Sequence, residues 1–461
     1  MQSTVFREYD IRGIVGTQLC VDRMYQLGQA IAYYLNGQKN PPKTMVIGID
    51  GRVHSPLIAQ ELTRALVDSG LQVTYFDLCT SPVISWSVYS GRYDAGCMIT
   101  ASHNPPDYNG IKIFHDRKAL SGTSIKTIGA LFEQAVVPTN SQTGAYIVHD
   151  GVQDYVAWFV EQFNGLRGTE WNMVIDCANA VGGVVLPRII DALELTGITL
   201  LYPEVDSVNA HHQADPTVEE NIQALRTAVL EKNARLGIGL DGDADRMAAI
   251  TDCGKHLRGD ELLAIFIHAL KDTLTKPVII DIKCSQALVE LLQLWSIPYI
   301  VTPTGSSYIR AAMREHESQL AGELSCHFFF ADRSYGFDDG IYAAFRLLEI
   351  MHSTKSTLED LHALYPRKYS TPELRVECPE DKKSLVIEHL KDQLQKMPQV
   401  EIMTLDGVRA TIPGAWGIVR ASNTQAMLGM RFEGDTLEKL IFIKKIFAGL
   451  LSGHVDISIL V

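Results

Sequence analysis

No two of the eight cysteines form a C-x-x-C pair. Cys20, Cys79, Cys97, Cys177, Cys253, Cys284, Cys326 and Cys378 are scattered, which argues against a zinc site built on such pairs. Most lie in apolar surroundings and read as small core residues of a reducing compartment. No uninterrupted apolar run approaches about 18 residues, so no membrane span is expected. The first residues, MQSTVFREYD, carry charges where a leader peptide carries an apolar core. There is no excess of positive charge either: the formal net charge is −13. A general nucleic-acid binder needs a basic face, whereas a small phosphorylated substrate needs only a local basic pocket. The expectation is a cytoplasmic monomer with no nucleic-acid or membrane partner.

What is present is a chain of 461 residues with 46% hydrophobic and 21% charged residues, an ordinary globular composition. At roughly 150 residues per domain that length suggests about three domains, give or take one. Three segments share one grammar. TMVIGIDGRVHSP leads through LIAQELTRALVDSG to LQVTYFD; NMVIDCANAVGG leads through VVLPRIIDALELTG to ITLLYPE; PVIIDIKCSQ leads through ALVELLQLWS to IPYIVTP. Each is a β-branched run, a polar loop opening near an Asp (Asp50, Asp176, Asp281), an amphipathic helix and a second strand. That is the βαβ unit of a parallel, helix-covered sheet. The last part differs. YPRKYSTP (365–372) reads as a linker. Beyond it ELRVEC, KSLVIEHLKDQL, several short strands and a final helix from about Thr436 to Leu451 describe an antiparallel α+β domain. The expected fold is three related α/β domains with mixed sheets and a smaller α+β C-terminal domain, around a central cleft. The expected boundaries are 1–150, 151–253, 254–367 and 368–461.

Four polar loops carry the chemistry. In TASHNPPDYNGIK (100–112), Pro105 and Pro106 stiffen the backbone, and Asn109 and Gly110 tolerate left-handed turns. A stiff loop at a strand end can hold Ser102 outward, with His103 as proton acceptor and Lys112 as positive charge. A hydroxyl is a weak nucleophile until a base or metal activates it. On chemistry alone Ser102 reads equally as a nucleophile or as a turn residue. In LGIGLDGDADRMAAI, Asp241, Asp243 and Asp245 alternate. In an extended stretch all three would point one way and repel one another without a cation; hard oxygen ligands suit magnesium or calcium. An EF-hand fails, because position six is Arg246, position twelve is Asp252 and no helix leads in. An aspartyl-phosphate enzyme usually continues its Asp-x-Asp pair with Thr or Val, where this chain has Ala244 and Asp245. In AGELSCHFFF, Glu323, Ser325 and His327 suit a polyol or sugar, although such residues also decorate any strand edge. In RASNTQ, Arg420 matches phosphate oxygens and Ser422, Asn423 and Thr424 add donors in a turn that can present backbone N–H groups to an anion; a polar hairpin would look the same. Together the loops describe metal-assisted phosphoryl transfer on a sugar phosphate.

These motifs, from FREYDIRG (6–13) to RASNT, resemble the α-D-phosphohexomutases over nearly the whole chain. TASHNP with DGDADR is the specific part, and GELSCH resembles the Gly-Glu-Met-Ser-Gly-His of the bacterial phosphomannomutase/phosphoglucomutase branch. The resemblance implies an isomerase whose Ser102 carries a phosphoryl group. It implies Mg2+ held by Asp241, Asp243, Asp245 and an oxygen of phospho-Ser102, and a hexose 1,6-bisphosphate that is intermediate and activator. It implies that mannose and glucose 1-phosphates become 6-phosphates. Glu323 and Ser325 would bind the sugar 3- and 4-hydroxyls beside His327. Arg420, Ser422, Asn423 and Thr424 would hold the non-reacting phosphate. Tyr9, Arg246 and Lys283 match cleft positions, and Arg12, His103 and Lys112 are candidates for proton transfer or charge stabilisation. The chain departs from the family at GSSYIR, where Ser306 and Arg310 replace a histidine and a lysine, and at Cys326, Ser334 and Ala426. The rival readings are a metal-dependent sugar phosphatase and a binding protein without turnover.

Overall fold

The computed structural model describes residues 1–138, 142–208, 210–422 and 426–460. Four sheets follow one another along the chain. In the first, the strands lie in the order Ile11–Ile14, Tyr108–His115, Ala95–Ile99, Thr44–Ile49, Gln72–Leu78, Tyr146–Val148. In the second the order is His256–Leu257, Met247–Thr251, Leu236–Leu240, Glu170–Asp176, Thr196–Leu201, and in the third Tyr299–Thr302, Val278–Asp281, Leu320–Gly322, Phe328–Phe330. All three expected βαβ units are there. In the first, the helix Ser55–Asp68 has Pro56 in its opening turn and buries Ile58, Leu62, Ala65 and Leu66, a helical spacing of apolar residues.

The three sheets share a further feature that positions the site. Beside each central parallel strand runs another parallel strand that is followed by an antiparallel return. The pairs are Ala95–Ile99 with Tyr108–His115, Leu236–Leu240 with Met247–Thr251, and Leu320–Gly322 with Phe328–Phe330. The loop joining each pair carries, in turn, Ser102, the three Asp residues and the Glu323/Ser325/His327 trio. Three chemically unlike motifs thus occupy one topological position, beyond the carboxyl end of a parallel strand, where α/β sheets place ligands.

The repeated Asp of each unit is buried and organises its own loop. Asp50 accepts from Arg52 and Ser55, Asp176 from the Ala178 N–H, and Asp281 from the Leu324 N–H and Thr304 hydroxyl. The helix Gly151–Gln162 joins the first three sheets: Tyr155 meets Trp86 edge-on and Phe159 meets Phe345 edge-on.

The fourth sheet is antiparallel, with helices Glu380–Leu394 and Leu437–Leu451 on one face. It has its own core, and a small cluster of Ile282, Trp416 and Ile418 joins its other face to the third sheet. Part of the expected linker is a strand: Tyr369–Ser370 pairs with Met427–Gly434. Among the described residues no helix is long and apolar enough to cross a membrane.

Two local expectations need correcting. Asn109 and Gly110 are not in a left-handed turn; they belong to Tyr108–His115. Gly110 is required by crowding, since a Cβ there would lie 2.4 Å from the Ile11 carbonyl oxygen. The three Asp residues are not in an extended run. The strand ends at Leu240, and a turn with Ala244 at φ +58° folds them together.

Candidate active site

Ser102 lies just past the strand Ala95–Ile99, buried and at φ +51°, in the left-handed region. A side chain there costs about 1–3 kcal/mol, so the surroundings must impose it. The Ser102 N–H donates to Thr100 Oγ1 at 2.8 Å. Arg52 holds the loop from behind. Its guanidinium donates to the carbonyls of Ser102, Asn104, Pro105 and Tyr108, and it is itself fixed by Asp50. We expect Arg52→Met to remove the guanidinium from four carbonyls, of which that of Pro105 keeps the Tyr108 N–H, and to cost about 2–4 kcal/mol of stability. Urea unfolding followed by circular dichroism would show it. Arg52→Lys recovers part at most, because an ammonium cannot reproduce the fork.

The Ser102 hydroxyl donates to Asp241 Oδ2 at 2.9 Å and lies 3.2 Å from His103 Nδ1. Asp241 Oδ1 accepts the Arg246 N–H at 3.1 Å. Lys112 Nζ donates to Asp243 Oδ2 at 2.6 Å and to Asp245 Oδ2 at 2.7 Å. The Ser81 hydroxyl also donates to Asp243, while Asp243 Oδ1 has no partner among the described residues. One oxygen from each of the three carboxylates lies within 4.8 Å of the others. Positive charge is short here. Burial first, then Asp245 and Asp243, push the Asp241 carboxyl well above the usual range. A second set, Asp245, His327 and Asp338, is equally close, but Arg310 occupies Asp338 at 3.0 Å and His327 is protonated.

That protonation follows from geometry. His327 faces Glu323 Oε2 through Nδ1 at 2.8 Å and Asp245 Oδ1 through Nε2 at 3.2 Å. Burial and Arg246 oppose the charge, but the carboxylates prevail and the imidazole is pushed up to about 10. Arg246 Nε, 3.2 Å from His327 Nε2, is then a close approach between two donors. His103 goes the other way. Burial, with Arg246 and Arg12 adding to it, holds it well below the usual histidine range, so it is neutral. Burial disfavours charge on Lys112 too, but Asp243 and Asp245 raise it far beyond neutrality.

The third and fourth sheets close the space. Glu323 Oε1 accepts the Gly305 N–H at 2.7 Å. Gly305 has φ +130°, and a Cβ there would fall 2.6 Å from the Tyr9 ring. Tyr9 donates to the Thr304 carbonyl at 2.7 Å, so the first sheet is latched to the third. Arg12 pairs with Asp10 and donates to Asn104 Oδ1 at 2.7 Å. Lys283 Nζ meets Glu373 Oε1 at 3.4 Å, and Arg420 Nε meets Asp406 Oδ2 at 2.9 Å. Arg310 Nη2 donates to Ser306 Oγ at 3.1 Å, so the two unusual residues of GSSYIR bond each other.

One cavity of about 470 Å³ lies between the four sheets. Tyr9, Arg12, Ser102, His103, Lys112, Asp245, Arg246, Lys283, Glu323, Ser325, His327, Arg420 and Ser422 all line it. Asp241 and Asp243 are fully buried behind Ser102 and Lys112. Asn423 and Thr424 lie outside the described residues. Reading the sequence did not pick out Arg52, Asp338 or Glu373. Arg52 stands two residues after Asp50, the first of the repeated Asp residues, which was the available signal; the other two carry no local pattern.

Residues 3–136, 153–254 and 258–369 of the chain match the alpha/beta/alpha domains I, II and III of phosphoglucomutase/phosphomannomutase, and 373–448 match the C-terminal domain. It is 37% identical to a phosphomannomutase/phosphoglucomutase of Pseudomonas aeruginosa, over 100% of this chain and 97% of the relative. It is 34% identical to a phosphoglucomutase of Neisseria gonorrhoeae, over 98% and 97%. Among solved structures, a phosphoglucomutase/phosphomannomutase family protein of Burkholderia thailandensis superposes with a TM-score of 0.89 at 30% identity, covering 98% of each chain. By these matches the chain belongs to the phosphoglucomutase/phosphomannomutase family.

Proposed function

We propose that this protein interconverts hexose 1-phosphates and hexose 6-phosphates through a phosphorylated Ser102 and a hexose 1,6-bisphosphate. One observation carries the reading: a strand-end serine hydroxyl, Ser102 Oγ, stands at the cavity wall 2.9 Å from Asp241 of an acidic triad and 3.2 Å from His103 Nδ1. The family membership and the phosphomutase names of the relatives support it.

In the first half-reaction the sugar 6-hydroxyl attacks the phosphorus of phospho-Ser102. The P–O6 bond forms, the P–Oγ bond breaks, and one proton passes from the attacking hydroxyl to the leaving oxygen. The bisphosphate turns end for end. Ser102 Oγ then attacks the phosphorus at C1: the P–Oγ bond forms, the P–O1 bond breaks, and the serine proton passes to O1. Neutral His103, with Nδ1 3.2 Å from Oγ, is placed to accept the Ser102 proton as Oγ attacks and, once charged by it, to return the proton when Oγ leaves. Lys112 stays protonated and supplies charge. Arg12 stiffens the serine loop through Asn104.

Magnesium fits the triad. The donors are all oxygens, Asp243 Oδ1 is unpaired among the described residues, and the raised Asp241 marks missing positive charge. Asp241, Asp243, Asp245 and an oxygen of phospho-Ser102 would hold the ion, which when bound neutralises charge on the phosphoryl group.

Glu323 and Ser325 would take the sugar 3- and 4-hydroxyls, with His327 beside them. Arg420, Ser422, Asn423 and Thr424 would hold the phosphate that is not reacting, and Tyr9, Arg246 and Lys283 would line the remaining wall. The segments 1–150, 151–253, 254–367 and 368–461 would thus contribute phosphoserine, metal, sugar and phosphate sites. A grip on the 3- and 4-hydroxyls survives the turn, because they lie between the two phosphorylated ends. It does not read the 2-hydroxyl, where mannose and glucose differ, and a site without that contact accepts both. The protein would act as a cytoplasmic monomer, with the bisphosphate as activator.

The test is to assay mannose 1-phosphate and glucose 1-phosphate side by side, with magnesium and a trace of glucose 1,6-bisphosphate, measuring 6-phosphate and free phosphate. Both sugars should give 6-phosphates. Free phosphate alone would make the protein a phosphatase, and no turnover would make it a binding protein.

A further inference from the structure

In the fourth sheet Arg375, Gly429 and Arg420 form one cross-strand row. Arg375 of Leu374–Glu377 pairs with Gly429 of Met427–Gly434, and Gly429 pairs with Arg420 of Ala415–Ala421. Residues directly opposite in a ladder share a face. Here it is the face away from the helices, because Val376, Val419 and Met430, one step along, belong to the helix-covered core. The same face carries two other arginines, both committed to the third sheet. Arg409 donates to the carbonyls of Ile282 and Cys284, and Arg431 to Asp260 and the Lys283 carbonyl. Arg375 and Arg420 lie past that contact, and both line the central cavity.

Between them the floor carries no side chain of its own. A Cβ on Gly429 would stand 3.4 Å from Glu373 Oε1 and 3.6 Å from Arg420 Cγ, ordinary contacts, so the Glu373 carboxylate lies over the glycine where an anion would displace it. Two strand spacings set the arginine Cα atoms roughly 9–10 Å apart. The charges are also unequal. Arg420 is held by Asp406 and its side chain is 12% exposed. Among the described residues Arg375 pairs with Glu373 alone, at 3.6 Å, and its side chain is 51% exposed. Glu373 is already shared with Lys283. One carboxylate therefore faces three cations, Lys283, Arg375 and Arg420, and Arg375, the more exposed of the two arginines, is the arm with freedom to move.

We propose that Arg375 is the second arm of an arginine clamp that, with Arg420, grips the non-reacting phosphate above Gly429; this rests on the mutase reading given above. Two forks on opposite sides of a tetrahedral anion read phosphate and ignore the sugar. The clamp would therefore hold the phosphate at C1 or at C6 alike, as the turn of the intermediate requires.

The test compares R375A, R375K and R420A with the parent enzyme. The readings are KM and kcat for glucose 1-phosphate, and the inhibition constant for inorganic phosphate, at low and high salt. We expect R375A to raise KM and the phosphate inhibition constant about tenfold, the worth of one charge-assisted hydrogen bond. The effect should shrink at high salt, and kcat should change far less than KM. R375K recovers part of the loss. Arg375 has one long ion pair and a half-exposed side chain, so the fold should survive, and circular dichroism checks that it does. Parent values of both constants in R375A, with R420A impaired, would overturn the clamp and leave the mutase reading intact. Absence of mutase turnover in the parent would remove the reading beneath it, and the clamp with it.

Discussion

Ser102→Ala eliminates hexose-phosphate interconversion, a fall on the order of 10⁵-fold or more, the scale on which deleting a hydroxyl nucleophile acts. Oγ is the hydroxyl 2.9 Å from Asp241 of the triad; the Ser81 hydroxyl is already given to Asp243, and Lys112 is held protonated by Asp243 and Asp245. The fold should tolerate the change. Alanine retains the N–H that bonds Thr100, and the loop stays clamped by Arg52 through main-chain carbonyls. A coupled assay gives the rate, and circular dichroism with glucose 1-phosphate binding shows that the cavity persists. Loss of turnover with retained binding is expected; turnover near the parent rate would remove Ser102 from the reaction.

The second large effect is electrostatic. Asp243→Asn is nearly isosteric and should fold, since the amide oxygen can still accept from Lys112 and the amide N–H₂ can take the place of Oδ1, which has no partner among the described residues. It removes one of three negative charges from the triad. Turnover should fall on the order of 10²–10³-fold, the cost of one preorganised electrostatic partner, and the requirement for magnesium should rise. Treating the parent enzyme with a chelator should stop turnover, and added magnesium should restore it. An unchanged magnesium dependence in Asp243→Asn would show that the triad does not hold the ion.

Much of this was legible in the sequence because the signals were local. The βαβ grammar repeats around Asp50, Asp176 and Asp281, and it returned the first strand, helix and second strand of each unit, though not the strands that complete each sheet. Ser102, the Asp triad and the Glu-Ser-His trio each sit in a short loop whose composition departs from a plain turn. Other features were set by non-local geometry. Alternation suggested an extended triad, but Ala244 at φ +58° turns the chain and gathers the carboxylates. Gly110 looked like a turn residue and is instead a point of close backbone approach. The charge states of His103 and His327 come from partners far along the chain, among them Arg246 for His103 and Asp245 for His327, which no spacing rule connects. Arg375 and Arg420 become neighbours only when two strands pair with the one between them.

The most direct test of the central claim follows the phosphoryl group. Incubate the protein with magnesium and glucose 1-phosphate labelled in its phosphate, digest it, and locate the label; then chase with unlabelled substrate. The mechanism predicts label on the peptide containing Ser102, lost during the chase at the rate of turnover and recovered in sugar phosphate. Label that never reaches Ser102 while 6-phosphate forms, or that leaves Ser102 only as inorganic phosphate, would contradict it.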